Sequence, residues 1–486
     1  MKSKPSEISR RSFLGHASCA GISATPLIST LLNLKLANIA AAQGAEAGDY
    51  KALVCIFLAG GNDSFNTLIP RNPTRYADYT ASRSDLALSW DPAANEIINL
   101  YRDGIQQWWG VHSAMPEVAD LFDSERLSFL ANVGTLTKAG TDIDDFSGKV
   151  NLPRGLFSHS DQQQQWQTSV SDNASRYGWS GRIADLLRDD PGQNANYSMN
   201  ISLGGNNIWQ NGANTTQYQI TSSGSIGRSD ILTQTGKFAM LGGAVNSQLD
   251  QNYVNLFEKS FASISKEAID VHEDFKSAVG QRTFTTPFPV LDASRVGENG
   301  ETFGAVSSAC KQLEEIARTI AAHNELGMRR QTFFVKLGGY DTHSNVLPRH
   351  AELMNQLSRC LGYFDSLMTE LGMQDNVTTF TSSDFGRSLG SNSGGSDHGW
   401  GGNQIITGGA VNGGIIHGNF PNLSLGAGNP LDTGRGRLIP TTSVDQYFQT
   451  LAHWFGVSPS DMPSVLPNIG EFYSGSDAAL PFMKAI

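Results

Sequence analysis

The chain has 486 residues, more than one hydrophobic core usually supports, which predicts one large elaborated domain or two lobes. Its formal net charge of −11 disfavours attraction to nucleic acid or anionic membranes, so we expect no nucleic-acid partner. The hydrophobic content of 39% suffices for a core, and 51 glycines indicate many turns between the elements.

The amino-terminal segment 1–42 is typical of a twin-arginine export signal. Ser-Arg-Arg-Ser-Phe-Leu at residues 9–14 precedes a weakly apolar stretch, and three alanines at 40–42 offer a small-residue cleavage site. Lys35 interrupts the stretch, whereas a stable membrane span needs about 20 clean apolar residues. We therefore predict no stable membrane span, and export of the folded protein by the twin-arginine machinery to the periplasm or the extracellular space.

Cleavage of this segment would make the remaining chain more acidic. The segment holds five basic residues and one glutamate, so its removal changes the formal charge from −11 to −15. An anionic substrate would then need a local positive centre, such as a metal ion or arginines. Three cysteines remain, Cys55, Cys310 and Cys360, and this odd count does not indicate a disulfide framework.

Apolar runs bounded by turn residues predict the strands of a buried parallel sheet. The predicted strands are 51–59, 126–134, 198–203, 331–337, 376–381, 404–407 and 414–417. Helical spacing of apolar residues lies between them, at 114–124, 177–189, 249–279, 306–328, 351–371 and 444–455, and 162–167 is a candidate helix. This alternation predicts an α/β domain over 50–486 with a mostly parallel, doubly wound sheet.

Two regions lack this regular alternation. Residues 71–120 are predicted as a loop-rich excursion that ends in the helix at 114–124. The region of about 190–300 is predicted as an insertion, because 204–236 are rich in polar residues and glycine and suggest a cap or a hairpin cluster. Within it, 287–300 is predicted as a linker.

Polar motifs rich in glycine stand at the edges of the predicted strands. They are Gly-Gly-Asn-Asp-Ser-Phe-Asn at 60–66, Gly-Gly-Tyr-Asp-Thr-His at 338–343, Thr-Ser-Ser-Asp-Phe-Gly-Arg at 381–387 and Gly-Gly-Ser-Asp-His-Gly-Trp-Gly at 394–401. Ligands of open α/β sheets bind at the carboxyl ends of the strands, and carboxylates and imidazoles are ligands of divalent metals in hydrolases. The candidate metal ligands are Asp63, Asp341, His343, Asp384, Asp397 and His398.

Two further residue types would complete a hydrolytic site. Arg387 could clamp an anionic group, and Ser158, beside a predicted helix start, could act as the nucleophile. Ser160 and Ser64 compete for that role. The structural alternative stays open at this point: the aspartates would cap turns, the histidines would bond to the backbone, and Ser158 would cap a helix.

Five blocks of this sequence resemble an exported bacterial family, the domain of unknown function 1501. The blocks are 60–70, 158–159, 337–343, 383–387 and 396–401, and they span nearly all of the mature chain. That family is similar in motif order to the alkaline phosphatase and sulfatase superfamily. The resemblance implies a three-layer, alkaline-phosphatase-like α/β fold with an inserted loop or cap region.

The resemblance also implies roles for single residues. Asp63 would be the first metal ligand, Asp341 and His343 the next pair, Asp384 the following ligand and His398 the last. Ser158 would be the nucleophile, and Asp397 or His159 would assist. Phe385 stands where the superfamily often has histidine, which removes one ligand of a two-metal site.

The resulting hypothesis is an exported metal-dependent hydrolase of phosphate or sulfate esters. It would use one or two divalent ions (zinc, manganese, magnesium or calcium) and act on a small-molecule or polymeric anionic ester. The alternative is a non-catalytic exported binding or assembly protein that keeps the hydrolase fold.

Overall fold

A computed structural model gives the structure of residues 50–190, 192–225, 255–289, 305–473 and 479–484, with a few positions between 243 and 251. The predicted export signal at 1–42 and most of the linker predicted at 287–300 lie outside the described residues.

The elements of the described residues are as follows. The strands are β1 (Lys51–Leu58), β2 (Leu68–Pro70), β3 (Ile97–Arg102), β4 (Ile105–His112), β5 (Leu127–Gly134), β6 (Asn200–Ser202), β7 (Tyr218–Thr221), β8 (Gly224–Ser225), β9 (Arg330–Leu337), β10 (Val377–Ser383), β11 (Arg387–Ser391), β12 (Ser396–His398), β13 (Gly402–Thr407), β14 (Ile416–His417) and β15 (Thr442–Ser443). The helices are α1 (Pro73–Arg83), α2 (Pro116–Asp123), α3 (Ile143–Gly148), α4 (His159–Thr168), α5 (Trp179–Leu187), α6 (Leu256–Gly280), α7 (Ala305–Ala321), α8 (His323–Leu326), α9 (Val346–Leu371), α10 (Val444–Phe455) and α11 (Met462–Val465). Short 3₁₀ turns occupy Ser84–Leu86, Gln374–Asn376 and Ile469–Glu471.

A ten-stranded sheet forms the centre of the fold, in the order β14-β5-β13-β10-β1-β9-β6-β7-β8, with β15 also paired to β5. The central strand β1 pairs in parallel with both β9 and β10. Among the described strands of this sheet, antiparallel pairing occurs only where β13 joins β10 and β5, and where β8 joins β7. The prediction of a mostly parallel sheet is therefore confirmed.

Helices cover both faces of this sheet. On one face, the ring of Phe380 in β10 contacts Trp179 of α5 and Phe448 of α10, and those two rings stack at 4.7 Å. Thr379 points to the opposite face because side chains alternate along a strand, and α9 packs there through Leu361. This layering explains why β1 and β10 are buried along nearly their whole length, although β10 consists mostly of threonine and serine.

The prediction of a loop-rich excursion at 71–120 is wrong. The region contains α1 and a three-stranded antiparallel sheet in the order β2-β4-β3. The hairpin between β3 and β4 turns at Asp103 and Gly104, whose φ angles are 49° and 71°. Asp-Gly in this left-handed conformation favours a tight β-hairpin turn, a signal that the apolar pattern alone does not show. The helix that ends the region is confirmed as α2.

The region predicted as an insertion at about 190–300 contributes an edge of the central sheet. Its strands β6, β7 and β8 extend the sheet beyond β9, and β7 and β8 form a short hairpin. Elsewhere, the predicted helix at 306–328 is divided into α7 and α8, and α9 begins five residues earlier than predicted. Among the helices that the structure describes, none is both long enough and apolar enough to cross a membrane.

Candidate metal centre

The carboxyl ends of three parallel strands meet at one edge of the central sheet. Leu58, the last residue of β1, is in register with Leu337 of β9 and with Ser383 of β10. The loops that follow therefore start side by side, and they carry Asp341 and Asp384. This parallel register brings motifs that are distant in sequence to one place.

Gly60 allows two of these loops to approach closely. Its φ is +123°, and a Cβ atom here would lie 2.3 Å from the backbone nitrogen of Asp341. Glycine satisfies both conditions because it has no Cβ atom. Gly60 also donates its N–H to Asp384 Oδ1 at 3.1 Å, so the loop after β1 helps to position the carboxylate after β10.

Three imidazoles converge on the carboxylate of Asp341. His343 Nε2 lies 3.0 Å and His398 Nε2 lies 3.4 Å from Asp341 Oδ1, while His159 Nε2 lies 3.4 Å from Oδ2. The Nε2 atoms of His343 and His398 are 3.0 Å apart. The Asp341 side chain is 43% exposed, so small molecules can reach the group from solvent. We call these four residues the imidazole–carboxylate cluster.

The opposite ring nitrogen of each imidazole faces an oxygen atom. His398 Nδ1 lies 2.9 Å from the carbonyl oxygen of Phe157, and His159 Nδ1 lies 2.6 Å from Asp384 Oδ2. A carbonyl or carboxylate oxygen accepts a hydrogen bond, which places the proton on Nδ1 and leaves the Nε2 lone pair facing the cluster. His343 Nδ1 lies 3.6 Å from an Asp397 oxygen. His398 and His159 therefore have the orientation that is common among metal-binding histidines.

The surroundings of His398 and Asp341 shift their pKa values in the direction that ligation requires. Burial lowers the pKa of His398, more than its bond to Phe157 raises it, so the ring is neutral at neutral pH. Partial burial raises the pKa of Asp341, but the hydrogen bond and charge of Arg387, together with His343 and His159, outweigh burial, and the net pKa lies below the ordinary value. A neutral imidazole and an ionised carboxylate are the forms that bind a cation.

Asp384 lies behind His159. Its carboxylate is buried and accepts hydrogen bonds from His159, from Gly60 and from Gln163 Nε2 at 2.9 Å. The predicted ligand therefore orients a histidine of the cluster, with both of its oxygens already engaged. Asp397 occupies a similar place behind His343.

Arg387 is fully buried, which differs from the predicted substrate clamp. Its guanidinium donates to Asp341 Oδ1 at 2.6 Å, to the carbonyl oxygen of Gly60 at 3.3 Å, and to both the hydroxyl and the carbonyl oxygen of Ser396. With its side chain inaccessible to solvent, it cannot reach a substrate. The geometry instead makes Arg387 a residue that positions Asp341 and keeps it ionised.

The structure does not place Asp63 in the cluster. Its carboxylate is buried in an ion pair with Arg83, which also donates to the carbonyl oxygens of Ser388 and Leu389. Arg83 on α1 belongs to the region predicted as loop-rich, so the sequence pattern did not reveal this partner.

Ser158 precedes His159 directly, but its hydroxyl does not bond to the cluster. Its Oγ donates to Asp161 Oδ2 at 2.8 Å and lies 3.1 Å from Ser160 Oγ. It occupies the N-cap position of α4 without a capping hydrogen bond from its side chain. Ser64, the other predicted competitor, bonds to the backbone nitrogen of Asn403 and is buried.

A further segment, Thr-Gly-Arg-Gly-Arg at 433–437, borders the cluster. It was not predicted from the sequence as part of the site. Gly434, Arg435 and Gly436 have φ angles of 112°, 62° and 73°, and Asp432 Oδ1 accepts both glycine N–H groups at 2.8 Å. Arg435 reaches Asp397 Oδ2 at 2.5 Å and remains 49% exposed. An arginine between two glycines was the available signal, since glycines bracket residues held in unusual backbone conformations.

The donor set fits a divalent transition metal. One oxygen or nitrogen atom each from His159, Asp341 and His398 lies within 4.8 Å of the others. His343 adds a third imidazole at 3.0 Å from Asp341. Three imidazoles and one carboxylate suit zinc or manganese better than calcium or magnesium, which prefer all-oxygen sites.

The family model described as "Protein of unknown function (DUF1501)" matches residues 50–461. The chain belongs to the DUF1501 family. The match covers every member of the cluster and both loops that follow β9 and β10. A comparison with functionally curated proteins finds no significant match to this DUF1501 protein.

Solved structures similar to this DUF1501 chain include sulfatases and an alkaline phosphatase, at low similarity. Ps i-CgsB has 11% identity and a TM-score of 0.34, covering 86% of this chain and 77% of its own. PsFucS1 sulfatase from Pseudoalteromonas sp. has 11% identity and a TM-score of 0.32, covering 91% and 73%. A variant of the alkaline phosphatase PafA has 13% identity and a TM-score of 0.24, covering 70% and 63%. At these TM-scores, function has to be argued from the site itself.

Proposed function

We propose that this DUF1501 protein is an exported metal-dependent hydrolase of phosphate or sulfate esters, with the metal held by the imidazole–carboxylate cluster. One observation carries the proposal: three Nε2 atoms converge on Asp341 while each Nδ1 faces an oxygen. Hydrogen bonds within an ordinary polar surface do not require this common orientation. A shared cation explains it.

A bound divalent ion would polarise an ester oxygen and lower the pKa of a water or hydroxyl group. The chain's own residues prepare that chemistry. Arg387 keeps Asp341 ionised, and Asp384 holds His159 in the tautomer with a free Nε2. Phe385 packs its ring against both His159 and His398, with ring centroids 4.8 Å and 4.5 Å apart. Because phenylalanine offers no ligand atom at this position, the site favours a single ion.

Arg435 is the proposed contact for the anionic group of the substrate. It is half-exposed beside the cluster, and its rigid left-handed turn is anchored to β11 by hydrogen bonds from Leu389 and Gly390. Asp397 holds the guanidinium in the substrate-free protein, and an incoming phosphate or sulfate would compete for it. Arg435→Ala should raise KM far more than it lowers kcat, whereas loss of a transition-state contact would lower kcat.

Ser158 remains the proposed nucleophile. It neighbours His159 in the chain, and the Asp161 carboxylate is placed to accept its proton. Ser158→Ala should abolish turnover with metal binding retained, and Ser160→Ala is the matched control because its hydroxyl is 3.1 Å away. If Ser158→Ala turned over the substrate as fast as Ser160→Ala and the wild type, Ser158 would be removed from the mechanism and direct attack by water would be favoured.

Metal analysis of the folded protein tests the proposal. We expect about one equivalent of zinc or manganese in the wild type, loss of the metal in His398→Ala, and retention in His453→Ala, a histidine on α10 whose Nδ1 lies 3.2 Å from the carbonyl oxygen of Val457. A screen of phosphate and sulfate esters then follows. A wild type that binds no zinc, manganese, magnesium or calcium after reloading would refute the proposal. Stoichiometric metal without turnover would support the non-catalytic alternative.

Export is a separate part of the proposal, supported by the twin-arginine pattern at residues 9–14. Arg10→Lys combined with Arg11→Lys should retain the protein in the cytoplasm, as measured by cell fractionation. Unchanged export of this variant would contradict the twin-arginine route.

A further inference from the structure

Two buried cysteines lie against each other between helices α7 and α9. The Sγ atoms of Cys310 and Cys360 are 3.3 Å apart, and both residues are completely buried. The third cysteine of the described residues, Cys55, lies in the central strand β1 and is also buried. Although the odd cysteine count gives no indication of pairing, the packing of the two helices creates a pair.

We propose that Cys310 and Cys360 form a disulfide bond once the protein meets an oxidising environment. A disulfide has an S–S distance of about 2.05 Å, so the two sulfurs need to move roughly 1.3 Å closer. A shift of this size is available from side-chain rotation and small helix displacements. The inference does not depend on the metal centre or on any hydrolytic activity.

The oxidation requires an external disulfide, such as oxidised glutathione or the disulfide of a thiol oxidase. One thiolate attacks that disulfide and forms a mixed disulfide, which releases one thiol. The second cysteine then attacks the mixed disulfide and releases the second thiol, so two electrons and two protons pass to the oxidant. The hydrogen bond with Cys310 and the burial of the site raise the pKa of Cys360, which makes its thiolate scarce in the closed protein. Exchange therefore takes place during folding or local opening.

The bond would enclose the part of the chain that supplies half of the cluster. The two cysteines are 50 positions apart, and β9, Asp341 and His343 lie between them. The cross-link would tie α7 to α9, the two helices that flank this segment in the chain. It would restrict the unfolded chain and reduce local opening of the loop that carries both ligands.

Refolding of the full chain in oxidised glutathione tests the inference. Free thiols are then blocked with N-ethylmaleimide under denaturing conditions, and the protein is examined by intact mass and by peptide mapping. We expect two blocked thiols, Cys19 and Cys55, and a linked peptide pair containing Cys310 and Cys360. The oxidised protein should melt about 4 °C higher than the reduced protein, and β9 should exchange its amide hydrogens more slowly.

Two variants control for the identity of the pair. Cys55→Ser should keep the linked peptides, and Cys360→Ala should lose them together with the redox-dependent shift in melting temperature. A wild type with four blocked thiols after refolding with oxidant would overturn the inference. This result is measured on the wild type alone, so it does not depend on whether a variant folds. A linked pair that includes Cys55 would overturn it equally. Neither outcome bears on the metal analysis above.

Discussion

Replacement of Asp384 by asparagine should weaken metal binding although Asp384 is not placed as a ligand. The buried carboxylate accepts hydrogen bonds from Gly60, Gln163 and His159. An asparagine has one oxygen and one NH2 group, so one of its ends must face a donor. If the NH2 group faces Gly60, a buried backbone N–H loses its partner. If it faces His159, the ring must adopt the other tautomer and turn its Nε2 proton toward the cluster.

The size of the effect follows from this choice. An unsatisfied buried donor costs about 1–3 kcal/mol of stability. Loss of a residue that orients a metal-binding histidine typically lowers metal affinity by about 10–100-fold. This range corresponds to about 1.4–2.8 kcal/mol of binding free energy. In either orientation His159 loses its hydrogen bond to a charged carboxylate, so we expect Asp384→Asn to lose metal affinity as well as stability, with a cluster that is chemically intact.

Calorimetric titration of zinc into the metal-free protein measures the affinity, and urea unfolding of the same sample measures the stability. Asp445→Asn is the matched control. Asp445 is another completely buried aspartate, held by Ser169 Oγ at 2.7 Å on α10, and it belongs to no part of the cluster. The control should bind zinc with unchanged affinity.

An Asp384→Asn protein that binds zinc as tightly as the wild type would refute the reasoning, since the tautomer of His159 would then be set by something other than Asp384. An equal loss of affinity in Asp445→Asn would show that the effect does not depend on contact with His159. Only a loss confined to Asp384→Asn supports the orienting role.

Other predictions concern stability and the approach of the loops. Burial raises the pKa of Asp445 from 3.8 to about 7. Between these pH values the folded state keeps the proton on this carboxyl and the unfolded state does not, so stability is lost as pH rises from about 4 to 7. Asp445→Asn should remove this loss and so be more stable than the wild type at pH 8, by at most roughly 4 kcal/mol. Urea unfolding at pH 4 and pH 8 should show the gain in stability at pH 8 only. Asp63→Ala should lower the free energy of unfolding by about 3–5 kcal/mol, because it leaves the buried Arg83 without its carboxylate partner. The double variant Asp63→Asn with Arg83→Met should lose less stability, since neither buried charge then remains. Gly60→Ala should lower both the melting temperature and zinc affinity, and a normal affinity would contradict the close loop approach.

Much of the fold was predictable because its signals are local. The apolar run of β1 and the helical spacing of α10 predict these elements to within one residue of their observed bounds. The hairpin of β3 and β4 was missed because its residues alternate poorly and its signal is the two-residue turn at Asp103 and Gly104. Local apolar periodicity reports burial, whereas most of β3 and the first half of β4 are only partly buried or exposed.

The candidate site was predicted in its membership more than in its roles. Asp341, His343 and His398 were identified from strand-end motifs, and the structure places them in contact. His159 was predicted to assist and instead joins the cluster, while Arg435, the proposed contact for the substrate anion, was not among the predicted residues. Each of these differences depends on packing between segments far apart in the chain.

Sequence alone is enough to identify the family, most strands of the central sheet, and the aspartates and histidines at the ends of those strands. These properties follow from short runs of residues and from motif order. The tertiary structure decided which role each residue can have. Asp63 pairs with Arg83, and Arg387 donates to Asp341, because the sheet register and the loop packing bring those partners together. A side chain's partner depends on distances in space, and these arise only once the strands have paired.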